Sequence, residues 1–223
     1  MPNDDKLVSY IQDAYAMEHA GIETLQRHAE QAKDFPNLQA MIVEHLAQTR
    51  EHRDRLGLCL KAHGQEPSGV KTTISTWAGA AVGALSGMRP DVMAMNARDE
   101  YVNEHFEIAS YALLMAMARA YGDEQTVDAA RRNLQDEVAM SNWLAAHIAE
   151  IGLLSLQANN ISIPDSAWQF ARNTATLIEV SQTRGVQGYH GAPGRNGNGV
   201  SAKPDAGDDE SGDAGQGVVG VDW

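Results

Sequence analysis

Four segments of this chain, each about 27–31 residues long, repeat apolar residues at alternating three- and four-residue spacing, and an ionisable side chain interrupts every repeat. That spacing belongs to helices presenting one face to a common core. The first segment, from about Asp5 to Lys33, aligns Val8, Ile11, Tyr15, Glu18, Ile22, Leu25 and Ala29. The second, Asn37 to His63, aligns Leu38, Ile42, His45, Thr49, His52, Leu56 and Cys59. The third, Asp91 to Tyr121, aligns Glu100, Glu104, Glu107, Tyr111 and Leu114. The fourth, Asp123 to Ile151, aligns Ala130, Leu134, Glu137, Ser141, Leu144 and Ile148. An isolated charge among aliphatic side chains costs on the order of several kcal/mol. One such residue is ordinary; one per helix needs a common cause.

The punctuation between segments sets the connectivity. Phe35-Pro36-Asn37, Gly64, Gly122 and Gly152 mark helix ends, and the breaks at Phe35 and Gly122 leave room only for tight turns. Between Pro67 and Pro90 lies a long, softer segment rich in Gly and Ala. Two antiparallel hairpins joined by one long crossover is the connectivity of a ferritin-like four-helix bundle, so the expected fold is all-α. A fifth helix is predicted to start at Pro164 and to align Trp168, Ala171, Ala175 and Ile178. From Gly185 onward the chain holds 11 of its 20 glycines, six acids and two cations. Such a composition cannot bury enough apolar surface to offset ordering entropy, which predicts disorder. The expected organisation is a bundle over 1–155, an additional C-terminal helix within 156–184 and a disordered Gly/Asp-rich tail over 185–223. The apolar end of that tail, Val218 to Trp223, is a candidate docking segment.

Residues equidistant from a hairpin turn lie at one height. With turns near Phe35 and Gly122, Glu18 is level with His52, Glu107 is level with Glu137, and Glu104 falls at a comparable height. Carboxylates gathered in a low-dielectric interior drive each other towards neutrality unless a cation is present. A pair of metal ions resolves that conflict, and carboxylate plus imidazole ligation suits iron, with manganese the other candidate. The competing reading is a metal-free polar layer of protonated carboxyls and histidines.

Composition excludes other classes. A net charge of −13 disfavours nucleic-acid and anionic-membrane binding, both of which need clustered cations. One cysteine rules out an intrachain disulfide. The acidic start MPNDDKL lacks a basic-then-apolar leader, and no apolar run reaches the roughly 20 residues of a membrane span, so a cytoplasmic location is expected.

Several local patterns resemble the ferritin-like YciE/YciF stress-protein family. They are Tyr15-Ala16-Met17-Glu18, then Glu44-His45-Leu46 with Gln48-Thr49, then Glu104-His105-Phe106-Glu107-Ile108-Ala109-Ser110-Tyr111, and finally Leu134-Gln135-Asp136-Glu137. The resemblance covers about residues 5–151 and implies a bundle with a di-iron carboxylate site of ferroxidase-like character. Carried over residue by residue, Glu18, Glu104 and Glu137 are ligands, Glu107 is a bridging or terminal ligand and His52 is the nitrogen donor. Glu44, His45 and Gln48 are alternative or supporting positions. The chain departs from the wider di-iron pattern of Glu-x-x-His on two helices. Thr49 stands three residues before His52, and Met140 stands three after Glu137. His19, His28, His63, His105 and His147 are expected at the surface or rim, and Tyr15, Tyr111, Cys59 and the methionines in the core.

Two functions follow as expectations. One is an oxidoreductase, possessing a metal pair that reacts with O₂ or H₂O₂ to oxidise Fe(II) or remove peroxide. The other is a non-catalytic stress-associated bundle, its site degenerate, acting through oligomerisation or partner docking. A homodimer or higher homo-oligomer is expected in either case.

Overall fold

The structure, a computed structural model, describes residues 5–67, 92–174 and 176. The crossover, the tail and its apolar end lie outside the described residues. Four long helices make up the bundle: α1 (Asp5–Gln31), α2 (Pro36–Ala62), α3 (Val92–Tyr121) and α4 (Glu124–Ala158). The first two and the last two form antiparallel hairpins, and α1 packs on α3 while α2 packs on α4.

The ends of the helices follow from local chemistry. Pro36 opens α2 at the one turn where a missing N–H costs nothing. Gly64 and Gly122 adopt φ of +72° and +74°, a region that disfavours any Cβ. Each closes its helix with paired bonds: Gln65 N–H donates to Leu60 O at 2.9 Å, and Asp123 N–H to Ala118 O at 3.0 Å. Asp123 then caps α4, accepting from Thr126 N–H at 3.0 Å.

The fourth helix runs further than expected. It continues through Gly152 to Ala158 and stops where Asn160 takes φ +62°, with Ile161 N–H donating to Leu156 O at 3.2 Å. A helical glycine costs only about 1 kcal/mol, and Ile151 and Ser155 are buried on the face that continues beyond it. The boundary near residue 155 therefore falls inside α4. Residues 165–174 form the expected extra helix; Ala171 is buried, Trp168 partly so, and Phe170 is 72% exposed.

Apolar packing divides into two clusters along the bundle. One gathers Leu7, Ile11, Leu56, Leu60, Leu114 and Ala130; the other gathers Ile22, Leu25, Ile42, Met93, Met140 and Leu144. The seam of α1 passes through Leu7 and Ala14, with Val8 and Tyr15 only partly buried. Between the two clusters, at mid-height, sit the ionisable residues. No helix among the described residues is long and apolar enough to cross a membrane.

Candidate metal centre

Helical periodicity determines which side chains reach the mid-height layer. On α3, Glu100, Glu104, Glu107 and Tyr111 recur at four-, three- and four-residue spacing, so all four lie on the buried face. On α2, His45 and His52 are two turns apart and flank Thr49, whose hydroxyl donates back to His45 O at 2.9 Å. Glu18 from α1 and Glu137 from α4 enter from the other two helices, and both are fully buried.

These residues form two candidate ligand sets that share one carboxylate. His45, Glu104, Glu107 and Glu137 make the first set, and Glu18, His52 and Glu137 the second. Within each set one atom per residue lies within 4.8 Å of all the others. His45 Nε2 is 3.2 Å from Glu104 Oε1 and 3.4 Å from Glu137 Oε2. His52 Nδ1 is 2.8 Å from Glu137 Oε1 and 3.5 Å from Glu18 Oε2. Glu137 thus turns one oxygen towards each histidine.

The fit to metal ions rests on what these atoms lack. Both oxygens of Glu104, both of Glu137, Glu18 Oε2 and His52 Nδ1 are buried without a hydrogen-bond partner. They stand close to one another but are not aligned as hydrogen bonds, an arrangement of groups facing a shared point. Buried polar atoms are ordinarily paired or bound to a cation. Carboxylate oxygens with one imidazole per set are a donor chemistry for iron or manganese. The residues fit such a pair.

Electrostatics of the metal-free protein give the same picture. Burial raises the pKa of all four glutamates, Glu104 and Glu107 most clearly. Glu100 adds to the rise at Glu104, and Glu137, Glu18 and Glu104 add to it at Glu107. At Glu18 and Glu137 the nearby His52 opposes the effect of burial. For His52, burial pulls the value down, but Glu137 and Glu18 outweigh it and hold the imidazolium up to about 10. Four carboxyls and a histidine therefore compete for protons in a space that two cations would neutralise.

The surroundings orient the second set. His52 Nε2 lies 3.0 Å from Asp136 Oδ2, which leaves Nδ1 turned inward. The Tyr111 hydroxyl donates to Glu18 Oε1, and Asn133 Nδ2 donates to the Tyr111 oxygen at 2.9 Å. In the first set, Asn103 Nδ2 donates to Glu107 Oε1 at 2.9 Å. Gln48 Oε1 meets His45 Nδ1 at 3.3 Å, behind the ring.

Glu18, His52, Glu104, Glu107 and Glu137 all converge as the periodicity predicts. Of the alternative or supporting positions, His45 turns its ring towards three of the carboxylates, the first of the two places expected for it. Glu44 is exposed, since adjacent helical residues point about 100° apart, and it takes no part. Gln48 stays behind His45 as a supporting residue. His28, expected at the rim, is buried and paired with Glu100. Asp136, Asn133 and Arg55 escape sequence reasoning. Position 136 lies beside the buried stripe, and its carboxylate reaches inward only because His52 comes from the facing helix.

A helical bundle whose mid-height holds a carboxylate–imidazole cluster is the class defined by fold and site. Residues 3–156 match the family described as Domain of unknown function (DUF892), and the chain belongs to that family. Solved structures agree with this and with the YciE/YciF resemblance of the helix motifs. A protein from Xanthomonas campestris pv. campestris superposes with a TM-score of 0.59 at 25% identity, over 70% of this chain and 97% of that one. YcfI from Rhodopseudomonas palustris superposes with a TM-score of 0.57 at 28% identity, over 63% and 91%. The E. coli stress protein YciF shares the fold, with a TM-score of 0.52 at 20% identity over 73% and 100%.

Proposed function

We propose that this chain is a di-metal carboxylate protein of the stress-protein type, holding two iron ions, or manganese, and oxidising Fe(II) or consuming peroxide. The carrying observation is the set of buried, unpartnered carboxylate oxygens of Glu18, Glu104 and Glu137 gathered around two imidazoles. His45, Glu104 and Glu107 would hold one ion, Glu18 and His52 the other, and Glu137 would be common to both. A bound iron pair supplies the electrons that reduce O₂ or H₂O₂.

The chain's own residues do the rest. Burial keeps bulk water from the centre and strengthens every charge interaction within it. His52 and the raised carboxyls release protons when cations bind, so uptake is coupled to proton loss. The Tyr111 hydroxyl keeps its proton, since burial and the Glu18 charge hold it well above its usual value. It therefore serves as a hydrogen-bond donor to Glu18.

Metal analysis of protein purified from iron-supplemented culture tests the assignment. About two equivalents are expected, as a di-metal carboxylate site holds, together with ferric absorption when Fe(II) is added in air. A stable protein without metal that leaves Fe(II) oxidation at the buffer rate would overturn it. That result would favour the second reading, a non-catalytic bundle acting by self-association. One observation supports that reading: Val102, Phe106 and Leu113 stand 63%, 41% and 49% exposed along one face of α3. An apolar stripe of this kind is the expected contact of a homodimer, and light scattering would measure it.

A further inference from the structure

We propose that Arg55, whose polar partners are Asn133, Glu51 and Asp136, is the positioning residue for the Glu18–His52 half of the centre. The inference rests on the di-metal reading and deepens it. Arg55 lies on α2 near the surface, with its side chain 28% exposed. Its Nη1 donates to Asn133 Oδ1 at 2.8 Å and stands 3.6 Å from Asp136 Oδ2. Its Nη2 donates to Glu51 Oε2 at 2.8 Å, which braces the guanidinium from the solvent side.

The consequences follow from which groups can donate. A guanidinium has donors only, so Asn133 must turn Oδ1 towards Arg55. Its NH₂ group then points inward, where Nδ2 donates to the Tyr111 oxygen at 2.9 Å. With that oxygen accepting from Asn133, the single phenolic proton goes to Glu18 Oε1. Every bond in the chain runs one way, from a surface cation to a buried carboxylate. Glu18 Oε1 is thereby occupied, while Oε2 remains unpartnered and faces the site.

A second branch starts from the same guanidinium. Its Nη1 stands 3.6 Å from Asp136 Oδ2, the oxygen that meets His52 Nε2 at 3.0 Å, and so holds that carboxylate in place. That contact fixes the ring and directs His52 Nδ1 to the centre, the arrangement that raises the basicity of a metal-binding imidazole. One arginine thus sets the free atom of both ligands unique to this half. The other half does not depend on it: His45 is held by Gln48 and Glu107 by Asn103. The two halves are therefore braced by separate sets of contacts.

Two measurements test this on the full-length protein with Arg55→Gln and Arg55→Lys. An amide can reverse its donor and acceptor, and a lysine offers one point charge instead of a planar fork. Titration of the metal-free protein with Fe(II) under anaerobic conditions should show one equivalent weakened by about 10–100-fold in Arg55→Gln, the other unchanged, with partial recovery in Arg55→Lys. Equal weakening of both equivalents, or of neither, would overturn the proposal. Crystal structures of metal-free wild type and Arg55→Gln supply the second arm. The Asn133 amide should reverse or withdraw and His52 should lose Asp136; unchanged contacts would overturn the proposal whether or not metal binds. Failure of the wild type to bind metal would sink the di-metal reading itself, which keeps the two failures apart.

Discussion

Replacing Glu107 by glutamine should stabilise the metal-free protein while damaging its metal binding. Glu107 is 3% exposed, and burial and the charges of Glu137, Glu18, Glu104 and Glu100 all push its pKa up. No cation opposes them among its main influences. A carboxyl whose folded pKa lies above the ordinary 4.5 stabilises the fold fully below 4.5, and that contribution is lost as pH rises towards the folded value. At pH 8 the metal-free wild type carries the cost, whereas an amide of the same shape does not. It can also still accept from Asn103 at the retained oxygen. Relief of a buried, poorly compensated polar group is worth about 1–3 kcal/mol. At roughly 2–4 °C per kcal/mol for a chain of this size, the variant should melt about 2–12 °C higher at pH 8. The gap should narrow as pH falls towards 4.5. Differential scanning calorimetry of chelator-treated protein across that range measures it, and metal titration of the same samples should show one equivalent weakened. A variant less stable at pH 8, by an amount independent of pH, would refute the reasoning and make Glu107 a charged group already satisfied by the fold.

Three further outcomes are expected. Glu137→Ala should abolish both metal equivalents because Glu137 belongs to both ligand sets, whereas Glu18→Ala should remove one; equilibrium dialysis with elemental analysis separates the two. The metal-free protein should lose stability between pH 6.5 and 10, because His52, raised to about 10, stabilises the fold below 6.5 and surrenders that contribution as pH rises through the folded value; metal loading should flatten the profile, and denaturant melts at stepped pH would reveal it. Asp123→Ala removes the cap of α4 and its 2.8 Å contact with His63, which should cost about 1 kcal/mol in urea titrations without changing metal stoichiometry.

Much of this protein could be read from the chain alone, because helical periodicity is a local property. A three- and four-residue repeat places Glu104, Glu107 and Tyr111 on one face whatever surrounds them. Turns at Phe35 and Gly122 then put Glu18 level with His52 and Glu107 level with Glu137, with Glu104 at a comparable height. The convergence of five residues was legible for that reason, as was the all-α fold. Chain geometry also predicted the helix ends at Gly64 and Gly122, where positive φ is needed. The end of α4 was misplaced at Gly152 because a glycine inside a helix is tolerated when the continuing face has something to bury.

What the tertiary structure decided is where side-chain atoms point once four helices are pressed together. His45 and Gln48 are three residues apart on one helix, yet only the carboxylates arriving from α3 and α4 make the first a candidate ligand and the second its support. Glu44 carries the right chemistry on the wrong face. Arg55, Asn133 and Asp136 form one network because α2 packs on α4; residues 78 and 84 positions apart hydrogen-bond across that interface. Periodicity specifies a direction about one helix axis, but donor, acceptor and charge become partners only through the distance between axes, which no single helix encodes.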